Sequence, residues 1–377
     1  MRVESAGDVV SGEPVSRSRK GNARRLGHGL GSATDATVDL TRLLDVVGAF
    51  PRQTICVVGD FVLDEFVSGE ISRVSREAPV LILRHRRSEA YPGGAANAAN
   101  NIADLGARVL PVGVVGADEG GRKLLDLLRA KRVDVRGIFR ARGYATTTKT
   151  RYLAGWTHTT EQQVLRVDRE AASTVPEKVE RAIERKARQL ASRADAVLVS
   201  DYGFGVAPPS LVRSLSAKRV TLDSRYRLLE FQDAGVTAAT PNEAELETAY
   251  HTRVGTDIRK VEELGSRTLS ELGLEALVVT RGKDGLSLFE RNSVRHRGGQ
   301  PVRHIPIHGS DTPVDVTGAG DTVIAVFTLA VAAGASYLEA AHLANYAGGI
   351  VVMKPRTATV TRAELEAVLR REATAQR

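Results

Sequence analysis

Three short runs, Ala196-Val197-Leu198-Val199-Ser200, Arg219-Val220-Thr221-Leu222-Asp223 and Ala238-Ala239-Thr240, decide the fold. A charged helical pattern over about 176–192 leads into the first run, and one over about 208–216 leads into the second. The third is followed by a helix start at Pro241-Asn242-Glu243, and a helical pattern over about 258–272 leads to a further strand, Ala276–Thr280. Strands that alternate with helices imply right-handed crossovers and a mostly parallel sheet with helices on both faces. The expected fold class is α/β.

Working towards the N-terminus, Thr54 to Gly59 is another apolar run that ends at Gly59-Asp60, as a strand buried on both faces would. Thr37 to Ala49 reads as a short amphipathic helix with Leu40, Leu43, Leu44 and Val47 on one face. Two charged, alternating segments at about 65–70 and 79–87 read as exposed strands, and residues 144–168 hold another such pair, Thr146 to Leu153 and Gln163 to Asp168. These strands suit a flap better than a core. Towards the C-terminus the chain is helical over about 319–333, 336–352 and 361–371. Residues 1–35 lack hydrophobic periodicity and are expected to form a disordered basic extension, leaving 36–377 as one domain.

Composition narrows the function. Cys56 is the only cysteine of 377 residues, which rules out an intrachain disulfide framework and a cysteine-built metal site and fits a reducing, cytoplasmic setting. No stretch approaches the roughly 20 apolar residues of a membrane helix, since Ile324–Ala333 is short and bounded by Asp321 and Gly334. The formal charge of +8 comes without aromatic-basic interleaving, so small anions rather than nucleic acid are the expected partners.

In such sheets, ligands bind beyond the carboxyl ends of the strands, where loops feed helix N-termini. Four segments with unusual chemistry fall there. Asp315-Val316-Thr317-Gly318-Ala319-Gly320-Asp321-Thr322 precedes an apolar helical run. Small residues at Gly318, Ala319 and Gly320 let backbone N–H groups approach an anion, the helix dipole adds to them, and Asp321 can accept a hydroxyl proton. Tyr91-Pro92-Gly93-Gly94-Ala95-Ala96-Asn97 runs into a helix that ends near Gly106; its glycines allow close approach and Asn97 can bond sugar hydroxyls, whereas tight helix packing would explain the alanines alone. Val58-Gly59-Asp60-Phe61-Val62-Leu63-Asp64 places two carboxylates at a strand exit; Asp60 suits a turn cap and Asp64 a pair of vicinal hydroxyls. Thr240-Pro241-Asn242-Glu243-Ala244-Glu245 is a good helix start in its own right and equally suits a hydrated Mg²⁺ held through water.

The Gly-Gly-x-x-Asn and Asp-x-Thr-Gly-Ala-Gly-Asp segments together resemble the ribokinase-like (PfkB-type) carbohydrate kinases over residues 54–370. Within that family the chain is most similar to the D-glycero-β-D-manno-heptose 7-phosphate kinases, through residues 59–64, 69–80, Ser200-Asp201-Tyr202 and 314–324. The resemblance implies a ribokinase-like central, mostly parallel sheet flanked by helices, with a small β-strand lid made of residues 65–87 and 144–168. It implies Asp321 as general base and the 318–320 backbone as anion hole. Asp64, Gly93, Gly94 and Asn97 would hold the sugar. Asn242, Thr280, Gly282 and Asn345 would line ATP, and Glu245 would hold Mg²⁺ indirectly. The implied ligands are ATP, Mg²⁺, a sugar phosphate and a monovalent cation, and the implied assembly is a homodimer through the lid strands.

The chain departs from the heptose-kinase pattern in three places. Gly203-Phe204-Gly205 lacks the usual lysine, Asp223-Ser224-Arg225 stands where Asp-Pro-Lys is usual, and Lys354-Pro355-Arg356-Thr357-Ala358-Thr359 lacks the common glycine. Arg225 can replace a lost lysine at a phosphate, with a different fork geometry.

Overall fold

The computed structural model describes residues 38–156, 161–170, 174–291, 302–310 and 312–375, so the expected extension over 1–35 lies outside the described residues. The strands are β1 (Thr54–Gly59), β2 (Phe61–Val74), β3 (Leu81–Gly94), β4 (Arg108–Gly116), β5 (Ile138–Ala141), β6 (Thr148–Gly155), β7 (Gln162–Arg169), β8 (Ala196–Asp201), β9 (Val220–Ser224), β10 (Ala238–Ala239), β11 (Ala276–Thr280), β12 (Leu286–Glu290) and β13 (Val302–Ile305).

Nine of them form one sheet in the order β13-β12-β11-β10-β9-β8-β1-β4-β5. Pairing is parallel from β5 through β11 and antiparallel at β12 and β13. The physical reason is visible in β1. Ile55 and Val57 pack into a core shared with helices Leu40–Ala49, Ala95–Asp104, Ala319–Ala332 and Tyr337–Val351. Cys56 and Val58 point to the other face, into a core with helices Glu177–Ala191 and Ile258–Glu271. A strand buried on both sides has to be apolar throughout, which is why the run was readable. Burial pushes the Cys56 thiol up to about 12. Among the described residues no helix is long and apolar enough to cross a membrane.

The sequence-based assignment omits β4, β5, β12 and β13. Pro111 interrupts the apolar run of β4 and mimics a breaker, and β12 and β13 return antiparallel, outside the strand–helix alternation. The helix expected over 208–216 is shorter, Pro209–Arg213.

The second sheet has the order β3-β2-β6-β7, with β2 antiparallel to β3, β6 parallel to β2 and β7 antiparallel to β6. Its strands are longer than the charge alternation suggested. Gly93 and Gly94 are not a loop but the last residues of β3, paired with Val62 and Phe61, and the chain passes from there straight into helix Ala95–Asp104. The register aligns Asp64 with Lys149 and Phe66 with Arg151 on one face. On the opposite face Val67, Tyr152 and Leu165 lie side by side across the strands.

Candidate active site

Strand order reverses at β1, whose neighbours are β8 on one side and β4 on the other. At that switch point the buried Asp60 carboxylate accepts backbone N–H groups from Tyr202 (2.7 Å), Phe204 (3.1 Å) and Val206 (3.3 Å). Asp60 is thus the turn cap of the 202–206 loop. The carboxyl ends of β8, β9, β10 and β11 then present Asp201, Asp223, Thr240 and Thr280 in a row.

Asp321 lies in the first turn of helix Ala319–Ala332 and is 4% exposed. Both carboxylate oxygens have donors: Asn97 Nδ2 to Oδ2 at 3.0 Å and the Tyr202 hydroxyl to Oδ1 at 3.0 Å. Burial raises its pKa to about 6, against the lowering effect of those two bonds. A carboxylate tuned to that range is ionised near neutrality and still basic enough to take a hydroxyl proton. Tyr202 itself is held well above the phenol range by burial and by the charge of Asp321.

Gly318, with φ +78°, makes the left-handed step that turns the loop into the helix, and a Cβ there would run into the Asn97 amide. The Ala319 N–H donates to Val316 O at 3.2 Å. Gly320 sits in the first turn, where backbone N–H groups lack intrahelical acceptors. Asn97 was expected to face the sugar. Its side chain is fully buried; its amide donates to Asp321 and to Gly318 O (3.3 Å), and its oxygen accepts from Asn101 Nδ2 (3.2 Å). It ties Asp321 to the 318–320 loop.

Asp64 lines the lid side of Asp321. Its Oδ1 accepts from Arg151 Nη1 at 2.6 Å and its Oδ2 from the Thr357 hydroxyl at 3.3 Å. Gly93 is required beside it, because a Cβ would come within 2.5 Å of Asp64 Oδ2. Gly94, at φ +56°, leaves no room for one against Asp60 O at 2.7 Å.

On the far side of Asp321 a largely apolar pocket gathers Thr280, Gly282, Ala319, Gly320 and Asn345. Asn345 shapes the pocket, its Nδ2 donating to Pro306 O at 2.7 Å. Asn242 is bridged to Thr280 as an extension of the β10–β11 pairing. Asn242 and Glu245 form a full capping box: the Glu245 N–H donates to Asn242 Oδ1 at 2.9 Å and the Asn242 N–H to Glu245 Oε2 at 2.8 Å. The helix-start reading of this segment is therefore realised.

Asp223 is the missed neighbour of Glu245. Burial raises both carboxyls, and the charge of Glu245 raises Asp223 further, while Arg225 opposes both shifts. Two neighbouring carboxyls pushed towards neutrality by burial, and Asp223 by the charge of Glu245 as well, are what a divalent cation would relieve. Among the described residues no three His, Cys, Asp or Glu side chains converge as direct metal ligands, so these two fit a hydrated ion contacted through water.

Sequence reading also gave no role to Lys149, Arg151, Tyr202 and Thr357. Lys149 is 8% exposed, with Nζ 4.8 Å from the centre of the Tyr202 ring, and Arg225 lies 5.8 Å over the same ring. Neither cation forms an ion pair with a carboxylate among the described residues. The spacing of Lys149 and Arg151, two apart on one strand face, is the signal that was available.

The sequence matches the pfkB family of carbohydrate kinases over residues 52–364. The bifunctional protein HldE of Desulfatibacillum aliphaticivorans is 39% identical over 336 residues, covering 86% of this chain and 64% of that protein. HldE of Geobacter metallireducens is 40% identical over 324 residues, covering 82% and 61%. The chain thus spans less than two thirds of the length of these relatives. Among solved structures, Arabidopsis thaliana ribokinase complexed with ribose and ATP matches with TM-score 0.63 at 20% identity, covering 84% of this chain and 98% of that one. Escherichia coli phosphofructokinase-2 in complex with substrates and products matches with TM-score 0.67 at 18% identity, covering 86% and 100%. These two likenesses establish the ribokinase-like fold. The chain belongs to the pfkB family of carbohydrate kinases and is a sugar kinase.

Proposed function

We propose that the acceptor is D-glycero-β-D-manno-heptose 7-phosphate, phosphorylated on its anomeric hydroxyl to the 1,7-bisphosphate. The observation that carries a phosphorylated acceptor is the buried Lys149, which has Asp64 and Asp168 nearby but no carboxylate in ion-pair contact among the described residues, beside Arg151 and Arg225. Burial lowers the Lys149 pKa and Arg225 lowers it further, with Asp64 and Asp168 opposing the shift only in part, and a buried cation without a close counter-ion is costly unless an anion joins it. A neutral sugar would leave that cost standing. The heptose itself is supported by the lid-strand resemblance and by the similarity to the HldE proteins.

In this reading the sugar lies between Asp64 and Asp321, and ATP occupies the pocket of Thr280, Gly282 and Asn345, with Asn242 beside Thr280. Asp321 removes the anomeric hydroxyl proton. The resulting oxygen attacks the γ-phosphorus, the bond to the β-phosphate oxygen breaks, and ADP leaves. Backbone N–H groups of the 318–320 turn receive the charge that develops on the transferring group. Asp223 and Glu245 would hold a hydrated Mg²⁺, which neutralises phosphate charge when bound. Arg225 takes the place of the lysine absent from the 203–205 and 223–225 segments.

The lid excludes water, which competes as acceptor. Its outward face carries exposed Leu165 and Val167, which supports a homodimer through the lid strands. The single buried cysteine supports a cytoplasmic setting. A monovalent cation belongs to the same resemblance. The deciding test is an acceptor panel read by ADP release, with heptose 7-phosphate set against fructose 1-phosphate, fructose 6-phosphate and ribose. Turnover highest with heptose 7-phosphate is expected; preference for unphosphorylated ribose overturns the reading.

A further inference from the structure

The loop after helix Tyr337–Val351 contains a residue that neither the catalytic scheme nor the nucleotide pocket uses. Arg356 has φ +67°, one of four non-glycine residues in the left-handed region among those described. A left-handed arginine is disfavoured unless its surroundings hold it.

The surroundings are the lid. Arg356 Nη2 donates to Glu161 Oε2 at 2.7 Å and reaches Ser68 Oγ at 3.4 Å. Nε is buried without a hydrogen-bond partner, and its nearest carboxylate is Glu89 Oε2 at 3.5 Å. The guanidinium lies 5.2 Å over the Phe66 ring, which Arg151 covers at the same distance. Ser68 and Phe66 belong to β2, Glu89 to β3, and Glu161 immediately precedes β7.

The backbone of the same residue is tied to the anion hole. Its N–H donates to Asp315 Oδ2 at 3.0 Å, and Asp315 Oδ1 accepts from the Thr317 N–H at 2.9 Å, one residue before Gly318. The next residue, Thr357, is the one that bonds Asp64.

We propose that Arg356 is a positioning residue that latches the lid to the body, using Glu161 and Glu89 as its catch and Asp315 as its anchor beside the phosphate-binding turn. Closing the lid brings carboxylates to the guanidinium, and the left-handed backbone holds Thr317 and Thr357 in register with Gly318 and Asp64. The 3.5 Å approach of Nε to Glu89, not yet a hydrogen bond, is the contact that tightens when the sugar is enclosed. The latch rests on the kinase reading only for its purpose; its existence is a property of the free chain.

Hydrogen–deuterium exchange on the full chain tests it without substrate. Arg356→Gly relieves the backbone and removes the guanidinium. Peptides from β2, β3 and β7 are then expected to exchange about tenfold faster, the equivalent of one lost charge-assisted contact, while β1 and β8 peptides keep their rates. Glu161→Gln, which leaves the loop untouched, is expected to reproduce most of that change, and the double variant to add little to either. Unchanged lid exchange in both single variants overturns the latch, as does equal acceleration in β1 and β8. In turnover assays Arg356→Gly is expected to raise the acceptor KM more than it lowers kcat, and to increase ADP release without acceptor. A wild-type chain with no turnover on any sugar removes the kinase reading and leaves the exchange result to decide the latch.

Discussion

On one side of Asp321 the pocket of Thr280, Gly282 and Asn345 is mostly apolar and shaped by backbone: helix N-terminus, glycines and an amide that bonds a main-chain carbonyl. On the other side the lid's inner face is charged and made by long side chains, Lys149, Arg151 and Asp64, from strands about 85 residues apart in sequence. A backbone-built pocket is preorganised and tolerates little change of shape, because its groups cannot move out of the way. A side-chain-built face is selective through charge and is re-tuned by single substitutions. In the proposed mechanism the donor is therefore fixed by the main chain and the acceptor is left to the side chains.

Substitutions should separate the two sides, beginning with the residue they share. Asp321→Asn removes the base and is expected to lower kcat by about 10²–10⁴, with ATP affinity by titration calorimetry unchanged; near-wild-type turnover would remove Asp321 from its role. Lys149→Met should act on one side only, raising the acceptor KM by about 10–100-fold with the ATP KM unaffected. Equal changes in both constants would break the division drawn above. A pH profile of kcat/KM sharpens it further. Burial raises the Asp321 pKa to about 6, and in the proposed mechanism it is the active base only above that value. The rate should therefore fall about tenfold per pH unit below 6 and level off above it. Tyr202→Phe should give the smallest effect, roughly tenfold or less. It removes a donor that stabilises the Asp321 carboxylate, so the inflection of the profile should move upward, and a downward move would contradict the assigned hydrogen bond.

How much of this was readable from the chain follows the same division. The fold was legible wherever local sequence carried it, since strands such as Ile55–Val58 feed two cores at once and leave no place for polar residues. It was illegible at β4, where Pro111 breaks the pattern, and at the antiparallel β12 and β13. Of the site, the segments 93–97 and 315–321 announce themselves because tight turns and close approach demand glycine in sequence order. Lys149, Tyr202, Asp223 and Arg356 acquire meaning only through pairings across the sheet or across more than 100 residues, such as Tyr202 with Asp321. Asn97 shows a subtler gap: its position was readable, but the partner that takes its amide, Asp321, lies 224 residues away.

The lone thiol of Cys56, sealed in the middle of β1 and held far from its thiolate form, has a practical consequence. Thiol-reactive dyes require an accessible thiolate and will pass it by. A cysteine introduced in the exposed turn between β2 and β3, at Arg76, would then be the sole reactive handle on the native chain. Fluorescence from that single label can report lid movement in real time, with no background to engineer away.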